Sequence, residues 1–405
     1  MPSNTNPPAL RRSLGLMLLT LYGIGITVGA GIYVLVGAVA HYAGPATPLA
    51  FLLASVVMGL TVASYAELCT RFPVAAGEAA YVRAAFGRRW ISTLTGIIMI
   101  GTGVIASATV AIGSAGYIAQ FIVIPRPIII AAVIAGVSII VAWGVVESVA
   151  LASIFTIVEV GGLLIIILAA WRADLAIAPA LTAWPSREFS QWAGLLFASI
   201  LAFFAFTGFE DLTNMIEEAH APERNVPLAM GLTLVITTTL YVFIAAIAVT
   251  AVTPQELGAS SAPLSLVFRK VAGVGTTAIN LIAIVSTLNT IIAQMTMSIR
   301  VIYGMAKQGD LPQRLGQVHE KTATPLLATG IIMFLALGFA LIVPFERLAE
   351  STSLATLVVF ALVNLALVRV RTARTRPPRA AIQVPLLIPV LGLVACVVMI
   401  ISSLL

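Results

Sequence analysis

Gly29-Ala30-Gly31-Ile32 interrupts the first long apolar segment of this chain, and Thr207-Gly208-Phe209-Glu210 interrupts the sixth at the matching place. A helix in lipid satisfies its backbone groups internally, because hydrocarbon offers no hydrogen-bond partners. Two helices broken near mid-depth therefore leave N–H and C=O groups where a bound solute or ion would use them. Broken helices at corresponding places in two halves are the best sequence pointer to the binding site of a secondary transporter.

The composition supports a membrane setting. Of 405 residues, 60% are hydrophobic and 9% charged, and the mean hydropathy is +1.08. A soluble domain carries roughly 25% charged residues. The net charge of +6 does not imply nucleic acid, because the basic residues sit in short loops between apolar segments. Cys69 and Cys396 fall in or beside predicted spans and set up no disulfide framework. Arg11 and Arg12 lead directly into a span too long for the core of a cleavable signal.

A helix needs about 20 apolar residues to cross a bilayer. Eleven spans are predicted, over residues 14–40, 46–69, 90–120, 127–144, 149–171, 192–219, 227–252, 273–305, 324–343, 351–369 and 385–405. With a cytoplasmic N-terminus, sixteen Lys and Arg residues lie in inside loops. Six lie outside, namely Arg126, Arg172, Arg187, Arg269, Lys270 and Arg347. This positive-inside bias places the N-terminus in the cytoplasm and the C-terminus outside. Spans 1–5 and 6–10 run in the same order, each set opening on a broken helix, with a long third member and a short fourth and fifth. Five is odd, so the second set starts from the opposite face and the duplication is inverted. The expected organisation is a tail (1–13), a first repeat (14–171), an outer connection (172–191), a second repeat (192–369), a basic loop (370–384) and an accessory helix (385–405).

Four long stretches carry a resemblance: GIGITVGAGIYVLVG (23–37), SYAELCTRFPVAAGEAAYVRAAFG (64–87), FFAFTGFEDLTNMIEEAHAPERNVP (203–227) and SIRVIYGMAKQGDLPQRLGQVHEKTATP (298–325). The chain resembles amino acid permeases of the amino acid–polyamine–organocation (APC) superfamily. That resemblance implies the LeuT-type fold: an all-α polytopic membrane protein with a 5+5 inverted repeat, broken helices 1 and 6, and one extra C-terminal helix.

The two breaks can be read chemically. The outer half of helix 1 begins near Ile32 and presents the positive end of its dipole to an anionic group. Glycines at 29 and 31 admit a ligand to the backbone, and the first candidate set is Val28, Gly29, Ala30, Gly31 and Ile32. Gly25-x-x-x-Gly29 would serve equally as a close helix-packing face. The first half of helix 6 ends near Phe206, which should leave the carbonyls of Phe203, Phe204 and Ala205 without helical partners. With Phe206, Thr207, Gly208 and Glu210 they form the second set, suited to an ammonium group. One pole for carboxylate and one for ammonium describe an α-amino acid. The resemblance implies that Phe204 closes the site from outside. Glu210 and Asp211 either cap the second half-helix or act in function.

Glu159 lies mid-span in SIFTIVEVGGLL with no charge near it in sequence. A carboxylate there is costly and tends to be protonated. The resemblance implies a lysine at this place in many proton-coupled members, so the glutamate is a departure that puts the coupling assignment in doubt. It would carry the coupling proton, or help neutralise a sodium ion held by carbonyls near Gly25 and Val28 and by the hydroxyls of Ser286 and Thr287. A hydrogen-bonded structural glutamate is the third option. Glu67 ends the second span, and Glu78 lies on the loop after it with Arg83, Arg88 and Arg89. Those arginines could pair with Glu217, Glu218 and Glu223 as an inner gate, or all of these could be solvated loop charges, and the run Arg369 to Arg379 anchors topology beside anionic lipid.

Other motifs fail in context. Gly101-x-Gly103-x-x-Ala106 lies inside a span with no strand before it, and no GxxxxGK[ST] loop is present. His41, His220 and His319 have no metal spacing, and no GxSxG elbow occurs. No enzyme activity, cofactor, nucleic acid or obligate protein partner is expected. The expected function is amino acid transport by alternating access in the cell membrane, coupled to protons, with sodium coupling or exchange as alternatives. An ion channel would need a carbonyl filter that the sequence lacks.

Overall fold

Gly29 fixes the architecture at its first turn. Its backbone takes φ 22° and ψ −132°, a region closed to residues with a Cβ, so helix α1 (Leu16–Val28) ends there and α2 (Gly31–Ala43) starts anew. The computed structural model describes residues 14–73, 77–144, 149–322, 324–373 and 382–403. The expected tail (1–13, with Arg11 and Arg12) and the basic residues Arg374, Arg376 and Arg379 lie outside the described residues.

The chain continues through α3 (Thr47–Arg71), a short loop helix α4 (Gly77–Phe86), α5 (Arg89–Ile118), α6 (Arg126–Ala142) and α7 (Val149–Arg172). A single turn, α8 (Ala178–Leu181), precedes α9 (Phe189–Phe204). The second break follows, and after it a 3-10 helix over Phe209–Met215. Then come α10 (Pro222–Ala251), a hairpin of α11 (Pro254–Ala259) and α12 (Pro263–Ala272), α13 (Thr277–Lys307), α14 (Leu326–Ile342), α15 (Phe345–Thr372) and α16 (Leu387–Ser402). No strand occurs among the described residues; Leu14 makes only an isolated bridge to Ala219. Seven helical stretches are long and apolar enough to cross a membrane, and four shorter apolar helices (α1, α6, α14 and α16) accompany them.

The third members of the two sets are long, at 30 and 31 residues, and the fourth are short, at 17 each. The fifth are not short: α7 has 24 residues and α15 has 28. Pro344 caps α15, so Glu346, Arg347 and Glu350 ride on its first turns.

Packing follows a regular exchange. Helix α3 packs on α10, α5 on α13 and α6 on α14. Helix α1 packs on α7 and α10, while α9 packs on α15 and α3. The outward surface is apolar, with Val235 and Leu387 each 64% exposed, as suits lipid. One buried carboxylate is paired several times over. Glu67 is fully buried and accepts from Arg71 (2.8 and 2.6 Å), from Arg371 (2.8 Å) and from the Val384 N–H (2.9 Å). Those bonds tie the segment before α16 to the end of α3.

Candidate binding site at the two helix breaks

Helix α13 holds the first break with two hydroxyls one turn apart. Ser286 Oγ donates to the Gly29 carbonyl. Thr290 Oγ1 accepts from the Ala30 N–H at 2.9 Å and donates to the Ser286 carbonyl at 3.0 Å. Thr290 thus acts as an N-cap supplied from another helix. A Cβ on Gly29 would lie 2.4 Å from that hydroxyl. Beyond it, the N–H groups of Gly31 and Ile32 open α2, where helix geometry leaves donors without internal partners.

The second break touches the first. A Cβ on Gly31 would fall 2.5 Å from Ala205 Cα, and one on Gly208 would fall 2.4 Å from Ile26 Cγ2. Gly208 itself has φ 116°. The Tyr241 hydroxyl lies 2.7 Å from the Thr27 carbonyl and 2.8 Å from the Ala205 carbonyl. One proton therefore serves the end of α1 and the end of α9 together.

The carbonyls expected to be open at this break have partners. Phe203 O accepts from Phe206 N (3.0 Å), and Phe204 O from Thr207 N (3.1 Å) and Thr207 Oγ1 (2.7 Å). Ala205 O is taken by Tyr241. The helix tightens into 3-10-type turns before it breaks, which uses the last carbonyls. Each oxygen keeps a second lone pair. The Phe203 ring is fully buried and stacks edge-on against Phe360 at 5.8 Å, so it packs the core. Phe204 is also buried, and Phe206 meets Tyr241 edge-on at 4.9 Å. Glu210 caps the break: its Oε2 accepts the Gly208 N–H at 2.8 Å.

Glu159 on α7 is fully buried beside the first break. Asn289 Nδ2 donates to its Oε1 at 3.2 Å. Tyr33 donates to its backbone carbonyl at 2.6 Å, and Tyr117 donates to the Tyr33 carbonyl at 2.6 Å. Of the groups expected around a sodium ion, Ser286 meets the first break, while Thr287 and Gly25 have other neighbours. Thr287 turns to α5 and donates to Ser114 Oγ at 2.9 Å. The Gly25 carbonyl accepts the Gly29 N–H, and Gly25 backs on Thr156, whose hydroxyl bonds the Leu21 carbonyl at 3.0 Å. Helical rotation explains the mismatch: residues 286 and 287 differ by about 100° around α13, so only one of them can face α1.

The residues that the sequence reading missed are Thr290, Asn289, Tyr241, Tyr33, Thr156 and Ser114. The signal for two of them was present. Ser286-Thr287-Leu288-Asn289-Thr290 is a polar run in an apolar helix, and Thr290 follows Ser286 by one turn.

A vestibule of about 500 Å³ opens below the breaks, lined by Glu78 and Arg83 of α4, Asn214, and Met297, Arg300 and Gln308 of α13 among others. Arg89 pairs with Asp310 across its mouth, and Arg83 reaches Gln308 at 3.4 Å. The arginines of the expected inner gate thus bond the end of α13, because α4 lies against α5 near that end. Burial pushes the Glu78 carboxyl up from its ordinary value, while the Tyr65 hydroxyl donates to it at 2.9 Å.

A family model described as amino acid permease matches residues 14–405. The chain belongs to the amino acid permease family. It is therefore an integral membrane protein, an amino acid transporter of the APC superfamily. The permease is similar to the branched-chain amino acid permease BcaP of Bacillus subtilis (strain 168), at 27% identity over 97% of this chain and 88% of that protein. It is 29% identical to the vacuolar cationic amino acid transporter 4 of Arabidopsis thaliana over 91% of this chain and 64% of that one. It is 25% identical to the methylthioribose transporter of Bacillus subtilis (strain 168) over 98% and 88%.

Proposed function

We propose that this permease is a secondary active transporter that moves amino acids across the cell membrane by alternating access. The observation that carries the reading is the contact between the two breaks, where Gly31 meets Ala205 and Tyr241 bonds a carbonyl from each. The substrate carboxylate would meet the N–H groups of Ala30, Gly31 and Ile32, with Thr290 holding that place for Ala30 until the substrate arrives. The ammonium would take the free lone pairs of carbonyls between Phe204 and Thr207 and displace the Tyr241 hydroxyl from Ala205. The relatives named above differ in printed substrate, so the backbone contacts are assigned to the shared poles and the side-chain pocket to selectivity.

The exchange in packing between α3 and α10, α5 and α13, and α6 and α14 supports the inverted 5+5 repeat. On this reading α1, α3, the broken helix at α9 and α10 rock against α5, α6, α13 and α14. The vestibule is the cytoplasmic exit, and the N-terminus is cytoplasmic. Glu159 carries the coupling proton, with Asn289 holding its carboxyl.

The test is uptake of labelled amino acids, from leucine to lysine, into proteoliposomes under imposed proton or sodium gradients. Accumulation driven by the proton gradient, and lost in Glu159→Gln, is the expected result. Accumulation driven by sodium alone would overturn the proton assignment. Failure to transport any member of the panel would overturn the function.

A further inference from the structure

A second cavity, of about 410 Å³, lies on the side of the breaks opposite the vestibule. That volume is in the range of small-molecule sites. Its floor is one turn above the first break: Val34 lines it, and the Val34 N–H bonds the Ala30 carbonyl. Between the cavity and the break lie the Val34 side chain, packed on Gly113, and the Tyr117 side chain. A Cβ on Gly113 would lie 2.3 Å from Val34 Cγ1, and Tyr117 bonds the Tyr33 carbonyl. The hairpin of α11 and α12 forms one wall, with the Leu257 carbonyl 2.5 Å from where a Gly37 Cβ would sit and the Ser261 carbonyl 2.0 Å from where a Gly116 Cβ would sit.

Two opposite charges line this cavity, Arg126 at the start of α6 and Glu346 in the first turn of α15. Neither has an ion-pair partner among the described residues. Arg126 is steadied by a bond from Nη2 to the Ile112 carbonyl at 3.2 Å. Neighbouring Arg347 pairs with Glu350 instead, at 3.0 Å, so Glu346 stays available. A guanidinium fork suits a carboxylate, and a carboxylate suits an ammonium group. A ligand that carries both poles answers both walls at once, whereas an anion or a cation alone would answer one.

We infer that this cavity is a second amino acid site, an antechamber in which Arg126 takes the carboxylate and Glu346 the ammonium before the Val34–Gly113 contact opens to the breaks. The inference rests on the transport reading. It assigns Arg126 and Glu346 to capture on one face and leaves release on the other face to the vestibule.

The experiment uses the full chain in oriented proteoliposomes and the labelled amino acid that the wild type accumulates most. Equilibrium binding should give two molecules per chain in the wild type and one in Arg126→Gln or Glu346→Gln. Losing one charged hydrogen bond should raise KM from the antechamber face roughly tenfold and leave KM from the vestibule face unchanged. Arg126→Lys keeps the charge without the fork and should fall between. It also serves where Arg126→Gln does not fold. One molecule per chain in a wild type that transports, or equal KM values on both faces in all three variants, would overturn the antechamber and leave the transport reading standing. A wild type that neither binds nor transports any amino acid overturns both.

Discussion

At Gly31 a single missing methyl group decides whether two helices can meet. The nearest atom to its absent Cβ is the Cα of Ala205, at 2.5 Å. Backbone cannot rotate away as a long side chain can. Tyr241 works at the same point by hydrogen bonding, since its one proton lies between carbonyls of α1 and α9. Tyr241→Phe leaves the ring contacts with Phe51 and Phe206 in place and removes that proton from buried acceptors. The expected cost is about 1–3 kcal/mol of stability, read as a lower thermal midpoint. Turnover should fall more than folding does, because the hydroxyl links the two elements that must move together.

At the level of elements, the two breaks are capped differently. The start of α2 is capped by Thr290 of α13, and the start of the 3-10 helix by its own Glu210. Thr290→Val should cost about 0.5–2 kcal/mol, the usual range for a lost N-cap, and Thr290→Ser should restore most of it, as measured by denaturation of the purified chain. Helix α4 offers a pH signature. Burial raises the Glu78 carboxyl above its ordinary value. A group raised in the folded state favours folding below its unfolded pKa and loses that contribution as pH rises through the folded one. Glu78→Gln, which keeps an acceptor for Tyr65, should therefore gain thermal midpoint over the wild type above that window and lose the advantage below it. A midpoint difference that does not change with pH would count against this account of α4.

These elements also show what the sequence could and could not reveal. The ends of α1 and α2 were legible because glycine has a φ range that no other residue shares. The all-helical class was legible because lipid excludes open backbone. The partners of the freed groups were not. Whether Ser286, Thr287 or Thr290 faces α1 depends on the rotation of α13, and an apolar helix with a broad polar run does not fix that rotation. The carbonyls before Gly208 looked open because a regular α-helix was assumed up to Phe206. The chain instead tightens at Phe204, and Thr207 and Tyr241 fill the gap. Arg83 of α4 and Arg89 at the start of α5 find their partners just past α13, at Gln308 and Asp310, outside the set that was weighed.

On the scale of the whole molecule, two broken helices meet between a vestibule on one side and a charged cavity on the other. The proposed function makes this one state of an alternating-access cycle, with the Val34–Gly113 contact between the breaks and that cavity. Its central claim is that the meeting point of the breaks is where the amino acid binds. Counterflow at zero ion gradient tests this most directly. Proteoliposomes loaded with unlabelled amino acid are given a trace of label outside, and the wild type is compared with Gly31→Ala that elutes as a single folded species. Inserting a methyl group into tight packing costs about 1–3 kcal/mol, which such a chain can survive while the contact between the breaks does not. The account predicts counterflow by the wild type and at least a tenfold slower rate for Gly31→Ala. Equal rates in the two proteins would contradict it.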